Sequence, residues 1–178
     1  MIDPIQELKI RAERLHKEVS SAAPNALLRL RALPEFRRQL PRDLAAAAAQ
    51  IRRKHCLAIV AREVGFESWA HASAVLGGET AEGVADFGTL LCPPSLSAHW
   101  NIWSASYEEA QAIRKEHGGY LLAYKRHYLI VDRHYLESLG LDPDDADWDR
   151  MARDWVRPAE PEARRRLYGK LLTAVPPG

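Results

Sequence analysis

Lys54-His-Cys-Leu-Ala-Ile-Val-Ala-Arg-Glu-Val-Gly-Phe-Glu-Ser-Trp-Ala-His-Ala-Ser-Ala-Val-Leu-Gly77 reads as one helix, a tight corner and a second helix. Ala58, Ile59, Ala61 and Val64 supply a small apolar face, and Gly65 is free to take the left-handed conformation that ends the first helix. Ser68 is a strong N-cap for the second helix, whose stripe of Trp69, Ala72, Ser73 and Leu76 runs to the stop at Gly77-Gly78. Phe66 and Trp69 are expected in the core, locking the corner.

Upstream of this corner the pattern stays helical. Ile5, Leu8, Ala12, Leu15 and Val19 recur at three- and four-residue steps, which predicts a helix over about 4–20 begun by Asp3-Pro4. A short helix is expected from Asn25 to Leu33 between Pro24 and Pro34, then a turn over Glu35–Leu40. Asp43 is expected to cap one long helix, Leu44–Val64, because its alanine run carries no breaker.

Downstream the period changes. Phe87–Cys92 reads either as a short strand or as cover for the interface between the halves. His99–Ser104 alternates as a strand does, Ser106 and Glu109 have capping-box spacing, and Tyr120–Tyr124 and Tyr128–Val131 read as paired strands joined at Lys125-Arg126-His127. Asp132 caps a short helix ended by Gly140. Asp142-Pro143 is expected to open another, with Trp148, Met151, Ala152 and Trp155 on one face, and a last helix carries Leu167, Leu171 and Leu172. The fold expected is α+β and predominantly helical: a helical module over 1–78, a connector over 79–98, and a small β-sheet covered by helices over 99–178.

Leu27-Leu-Arg-Leu-Arg followed by Ala58-Ile-Val-Ala-Arg-Glu-Val-Gly-Phe-Glu-Ser-Trp69 resembles a small helical module found at the start of some bacterial ankyrin-repeat proteins, with its Ala-Arg-Glu-x-Gly-Phe-x-Ser-Trp signature. The resemblance covers about residues 24–77 and implies a helical first half, without catalytic or ligand residues to carry over. No 33-residue repeat follows it. The Gly-Gly-Tyr-Leu-Leu and Trp-Val-Arg-Pro runs of the second half are similar to bacterial sequences with no activity attached.

Composition narrows function only a little. The net charge of +1 favours neither nucleic acid nor membrane, but it is unevenly divided. Residues 1–78 hold 13 Lys/Arg against 8 Asp/Glu, a net of +5, and residues 79–178 hold 12 against 16, a net of −4. Halves of opposite sign are expected to dock, with Trp100 or Trp155 adding apolar contact at the seam. The cysteines, Cys56 and Cys92, read as reduced thiols. With no span of about 18 apolar residues and no basic-then-apolar leader at the N-terminus, a cytoplasmic protein without membrane contact is expected.

The corner has the Ala61–Gly65 spacing of a helix-turn-helix, yet residues 66–78 carry no Lys or Arg to read DNA, so a structural corner is expected. A basic band, Arg29 to Arg62, holds nine Lys/Arg against Glu35 and Asp43, a net of +7. Arg37, Arg38, Arg52, Arg53 and Lys54 are its candidate nucleic-acid contacts. Tyr124, Lys125, Arg126 and His127 form a candidate partner-binding turn, aromatic and basic together. His99, His127 and Asp132 are the weak remaining candidates for a metal or hydrolytic site, because no i,i+4 histidine pair or Cys-x-x-Cys exists. Asp142–Asp149 lacks the Gly and closing Glu of a calcium loop. No catalytic residue, metal or cofactor is assigned. The function expected is a non-catalytic interaction or regulatory protein acting on an unidentified protein partner. The alternatives are a nucleic-acid-binding protein using the band, and a hydrolase-type enzyme with a His/Asp site in the second half.

Overall fold

The computed structural model describes residues 3–78 and 86–175. Helix α1 (Pro4–Ser20) is the post around which the first half packs. The Asp3 carboxylate accepts from the Ile5 and Gln6 amides at 2.8 and 3.0 Å, and Leu8, Ala12, Leu15 and Val19 are fully buried along one face. Around it lie α2 (Pro24–Arg29), α3 (Pro41–Ala47), α4 (Arg53–Glu63) and α5 (Trp69–Gly77). The short helix expected to Leu33 stops at Arg29 and continues as a 3₁₀ turn, Leu30–Ala32. Leu33 is extended, as a residue before proline prefers.

The long helix expected over Leu44–Val64 is broken. It begins at Pro41 rather than behind Asp43, passes through a 3₁₀ turn at Ala48–Gln50, and restarts at Arg53 after extended Ile51 and Arg52. Burial explains the break. In a continuous helix Cys56 and Val60 would stand about 140° and 180° around from Ile51, yet all three are buried. Five alanines bring too little apolar surface to resist the break. Two histidines satisfy its backbone: His55 Nδ1 accepts from the Arg52 amide at 3.0 Å, and His16 Nε2 donates to the Ile51 carbonyl at 3.2 Å.

At the corner, Phe66 N–H donates to the Ala61 carbonyl and Gly65 N–H to that of Arg62, closing α4 in a Schellman motif with Gly65 at φ +91°. Phe66 is 2 % exposed, as expected. Trp69 is only half-buried, at the edge of the core rather than inside it. Helix α5 packs on α1, α4 and a late helix, α9 (Pro161–Ala174), so its apolar face serves the fold.

Of the expected connector, residues 79–85 lie outside those described. The part from Asp86 to Cys92 forms no strand and covers the seam instead. Thr89 N–H donates to the Gly65 carbonyl at 2.9 Å, while Gly88 and Phe87 exchange backbone hydrogen bonds with Lys125. Phe87, Leu90 and Leu91 are buried.

The second half runs β1 (Asn101–Ser104), α6 (Tyr107–His117), β2 (Tyr120–Tyr124), β3 (His127–Val131), α7 (Arg133–Leu139), α8 (Ala146–Arg150) and α9. Its antiparallel sheet has the order β1-β3-β2, with Trp103 opposite Leu129 and Leu122 opposite Leu129 on the other side. Helix α6 covers the face of Tyr128 and Ile130 through Tyr107 and Ala110. The expected capping box is half formed. Ser106 Oγ accepts from the Glu109 amide, but the Glu109 carboxylate takes its bond from Ser104 Oγ at 2.5 Å. Helix α8 starts behind Asp145, not at Asp142-Pro143, and it ends before Ala152 and Arg153, which stand exposed at φ +56° and +54°. Tyr120, Trp148, Trp155 and Tyr168 form a buried aromatic run with successive centroids 4.9, 5.4 and 4.8 Å apart.

A single hydrophobic cluster contains residues of both halves, and α9 lies against α1 and α5. One ion pair at this seam runs against the net charges of the halves. Arg165, from the acidic half, pairs with Asp3 of the basic half, and Arg11 donates to the Leu172 and Val175 carbonyls at the end of α9. Trp155 is fully buried, but Trp100 is 55 % exposed and cannot cement the seam.

Candidate interaction surface

The hairpin turn between β2 and β3 is built without glycine. Lys125 stands at φ +51°, a conformation costing an L-residue roughly 1–2 kcal/mol. Its amide donates to the Gly88 carbonyl at 2.8 Å and its carbonyl accepts from Phe87 N–H at 3.0 Å. These bonds to the seam segment hold the turn, and they fix the register that the sequence leaves open: Tyr124 pairs with His127 across a two-residue loop. Lys125, Arg126 and His127 are exposed, and none of the three enters an ion pair among the described residues.

Tyr124 is half-buried, and its ring meets that of Trp103 edge-on at 5.6 Å, reaching across β3. Lys125 Nζ lies 5.6 Å from the Tyr124 centroid on the same rim. Trp103 is 45 % exposed, and Trp100, just before β1, is 55 % exposed. Neither tryptophan is singled out by the sequence as a partner contact, Trp100 being expected instead at the seam between the halves. Alternation in His99–Ser104 marks a strand, but only the sheet order shows that this strand lies at an edge.

The basic band is on the surface but on two separate segments. Arg37 and Arg38 follow a 3₁₀ turn at Pro34–Phe36, while Arg52, Arg53 and Lys54 open α4. All five are exposed and outside the ion pairs of the described residues. Other band members are engaged: Arg29 forms a bidentate pair with Glu63 at 2.8 and 2.7 Å, and Arg31 donates to the Gln39 carbonyl.

His99, His127 and Asp132 are not brought together. His99 meets Tyr135 edge-on, His127 is at the turn, and Asp132 caps α7 through the Tyr135 amide, one strand length of about 16 Å from His127. Among the described residues, no three His, Cys, Asp or Glu side chains are grouped to hold a metal. The acids of 142–149 serve the fold: Asp144 pairs with Arg133, and Asp147, 5 % exposed, is gripped by Arg166, Arg150 and Lys170. Arg166 first, then Lys170, holds the Asp147 carboxyl below the usual range.

Two further features are absent from any motif. Asp154, buried, accepts from Tyr107 Oη at 2.6 Å and from the Val156 and Arg157 amides at 2.9 Å. Burial, then this bond, raises the Tyr107 hydroxyl's pKa. The trio anchors the strained 152–157 loop under α6. A cleft of about 420 Å³ opens where α4, α7 and α9 end, lined by Arg62, Thr89, Pro94, Ser138 and Val175 among others. Among the described residues no helix is long and apolar enough to cross a membrane. Comparison of the chain with protein-family models, with curated proteins and with solved structures finds no match.

Proposed function

We propose that this chain is a non-catalytic interaction module that engages a protein partner through the rim formed by Trp100, Trp103 and the Tyr124–His127 turn. The observation carrying the reading is the exposure of two tryptophans, 55 % and 45 %, beside a sheet edge and a basic turn that have no partner among the described residues. Tryptophan beside a cation is the composition enriched at binding hot spots. Roughly 100 Å² of Trp103 stays in water, and covering it is worth about 2–3 kcal/mol. The test is affinity capture from the source cell's nuclease-treated extract, comparing the wild-type chain with Trp100→Ala/Trp103→Ala. A protein retained by the first and lost from the second supports the reading. Retention unchanged by the double substitution refutes it.

The second reading is nucleic-acid binding by Arg37, Arg38, Arg52, Arg53 and Lys54, and their exposure, with no acidic partner among the described residues, favours it. Phosphate binding weakens steeply with salt. Binding to labelled DNA or RNA that falls with salt and is abolished by Arg52→Glu/Arg53→Glu would establish it, and no binding at low salt removes it.

A further inference from the structure

Resting on the reading of this rim as a partner surface, we infer that its occupant is an acidic, extended segment of a partner protein that adds to β1 as a fourth strand. Strand β3 is paired on both sides. The outer edge of β2 is met by residues 153–155, through Leu121 N–H to the Arg153 carbonyl and Trp155 N–H to the Leu121 carbonyl. Strand β1 has no outer partner among the described residues. Sheet edges are ordinarily blunted by shortness, lysine, proline or a bulge. Asn101-Ile-Trp-Ser104 is short but carries no lysine or proline, and its four pairs with β3 run in unbroken register, so the edge stays open over its whole length. Its outward amides and carbonyls match another polypeptide backbone, and Trp103 offers an aromatic shelf beside the added strand.

The charge selects the occupant. A strand outside β1 lies about 10 Å from β3, two strand spacings, within reach of extended lysine and arginine side chains. The turn carrying Lys125 and Arg126 projects past the Ser104 end of β1, because Ser104 pairs with Tyr128. Of the acids at this end, Glu108 pairs with Arg157 at 3.9 Å, and Glu109 keeps its charge while accepting from Ser104 Oγ, on the α6 side of the strand. Incoming carboxylates therefore meet Lys125 and Arg126, which have no acidic partner among the described residues. A second copy fits less well. Antiparallel pairing of two β1 strands would set each cationic turn against Ser97-Ala-His-Trp100, which carries no acid.

The experiment is fluorescence anisotropy with the full chain and three labelled ten-residue peptides. The first alternates valine with glutamate, the second valine with lysine, and the third is the glutamate peptide N-methylated at alternate residues. The glutamate peptide should bind at least about tenfold tighter than the other two. Trp103→Ala should weaken it about tenfold or more. Lys125→Glu/Arg126→Glu, on an exposed turn, should reverse the preference for charge. Equal binding of the glutamate and lysine peptides, or indifference to N-methylation, overturns the proposal. So does displacement of the bound peptide by single-stranded oligonucleotide, or sedimentation of the free chain as a dimer that Trp103→Ala dissociates. If cell-extract capture depends on the tryptophans while no peptide binds, strand addition fails and the interaction reading stands. If both fail, both readings fall.

Discussion

Gly65→Ala tests the joint on which both halves depend. At φ +91° the substitution costs roughly 1–2 kcal/mol in backbone conformation alone. The added Cβ would also overlap Thr89 Oγ1 and lie 2.9 Å from Leu90 N, in a segment that the bond from Thr89 N–H to the Gly65 carbonyl holds in place. Overpacking against backbone adds about 1–3 kcal/mol, for a total of about 2–5 kcal/mol. In a chain of this size that lowers Tm by roughly 5–15 °C. Gly78→Ala is the internal control, since its φ is +90° and no described residue lies within 4 Å of its Cβ position. It bears the conformational cost alone, about 1–2 kcal/mol. Thermal melts followed by circular dichroism compare the two. Equal losses would refute the claim that the seam segment is pressed against the corner.

Three further outcomes follow from buried groups. The Asp147 pKa is depressed when folded, so its stabilisation is present above the unfolded value of about 3.9 and is lost as pH falls through the lower folded value. Urea melts of wild type and Asp147→Asn should differ at pH 7, and the gap should shrink as pH falls below the unfolded value, so a gap unchanged in acid contradicts this. Burial pushes the Cys56 thiol up to about 11, so at pH 8 an alkylating reagent should modify half-buried Cys92 first, and faster labelling of Cys56 would contradict its placement. Tyr168 Oη is buried without a well-formed hydrogen bond among the described residues, so Tyr168→Phe should leave Tm unchanged or raise it, and a loss above about 1 kcal/mol would reveal a bond there, with Trp155 the neighbour placed to donate it.

Local chemistry was legible where one residue decides an outcome. Asp3, Ser68, Ser106 and Asp132 cap the expected helices, Gly65 and Gly140 end theirs, and the strands of the second half lie within a residue or two of where they are expected. What sequence reasoning missed depends on distant partners. The break at Ile51 comes from the face that Cys56 and Val60 must bury, and it is held by His16 from another helix. The tip register comes from Phe87 and Gly88, nearly forty residues upstream in the chain. The turn Tyr124–His127 was readable as a surface feature from its composition. Its partner Trp103 was not, because exposure at a sheet edge is a property of strand order, and periodicity does not carry it.

Residue-resolved hydrogen exchange, on the free chain and on the chain bound to the partner it captures, tests the central claim most directly. The interaction reading predicts that protection is gained across Asn101–Ser104 and at the Tyr124–His127 turn, with the first turn of α4 unchanged. Protection gained at Arg52–Lys54, with β1 exchanging as in the free chain, would contradict it and assign binding to the basic band.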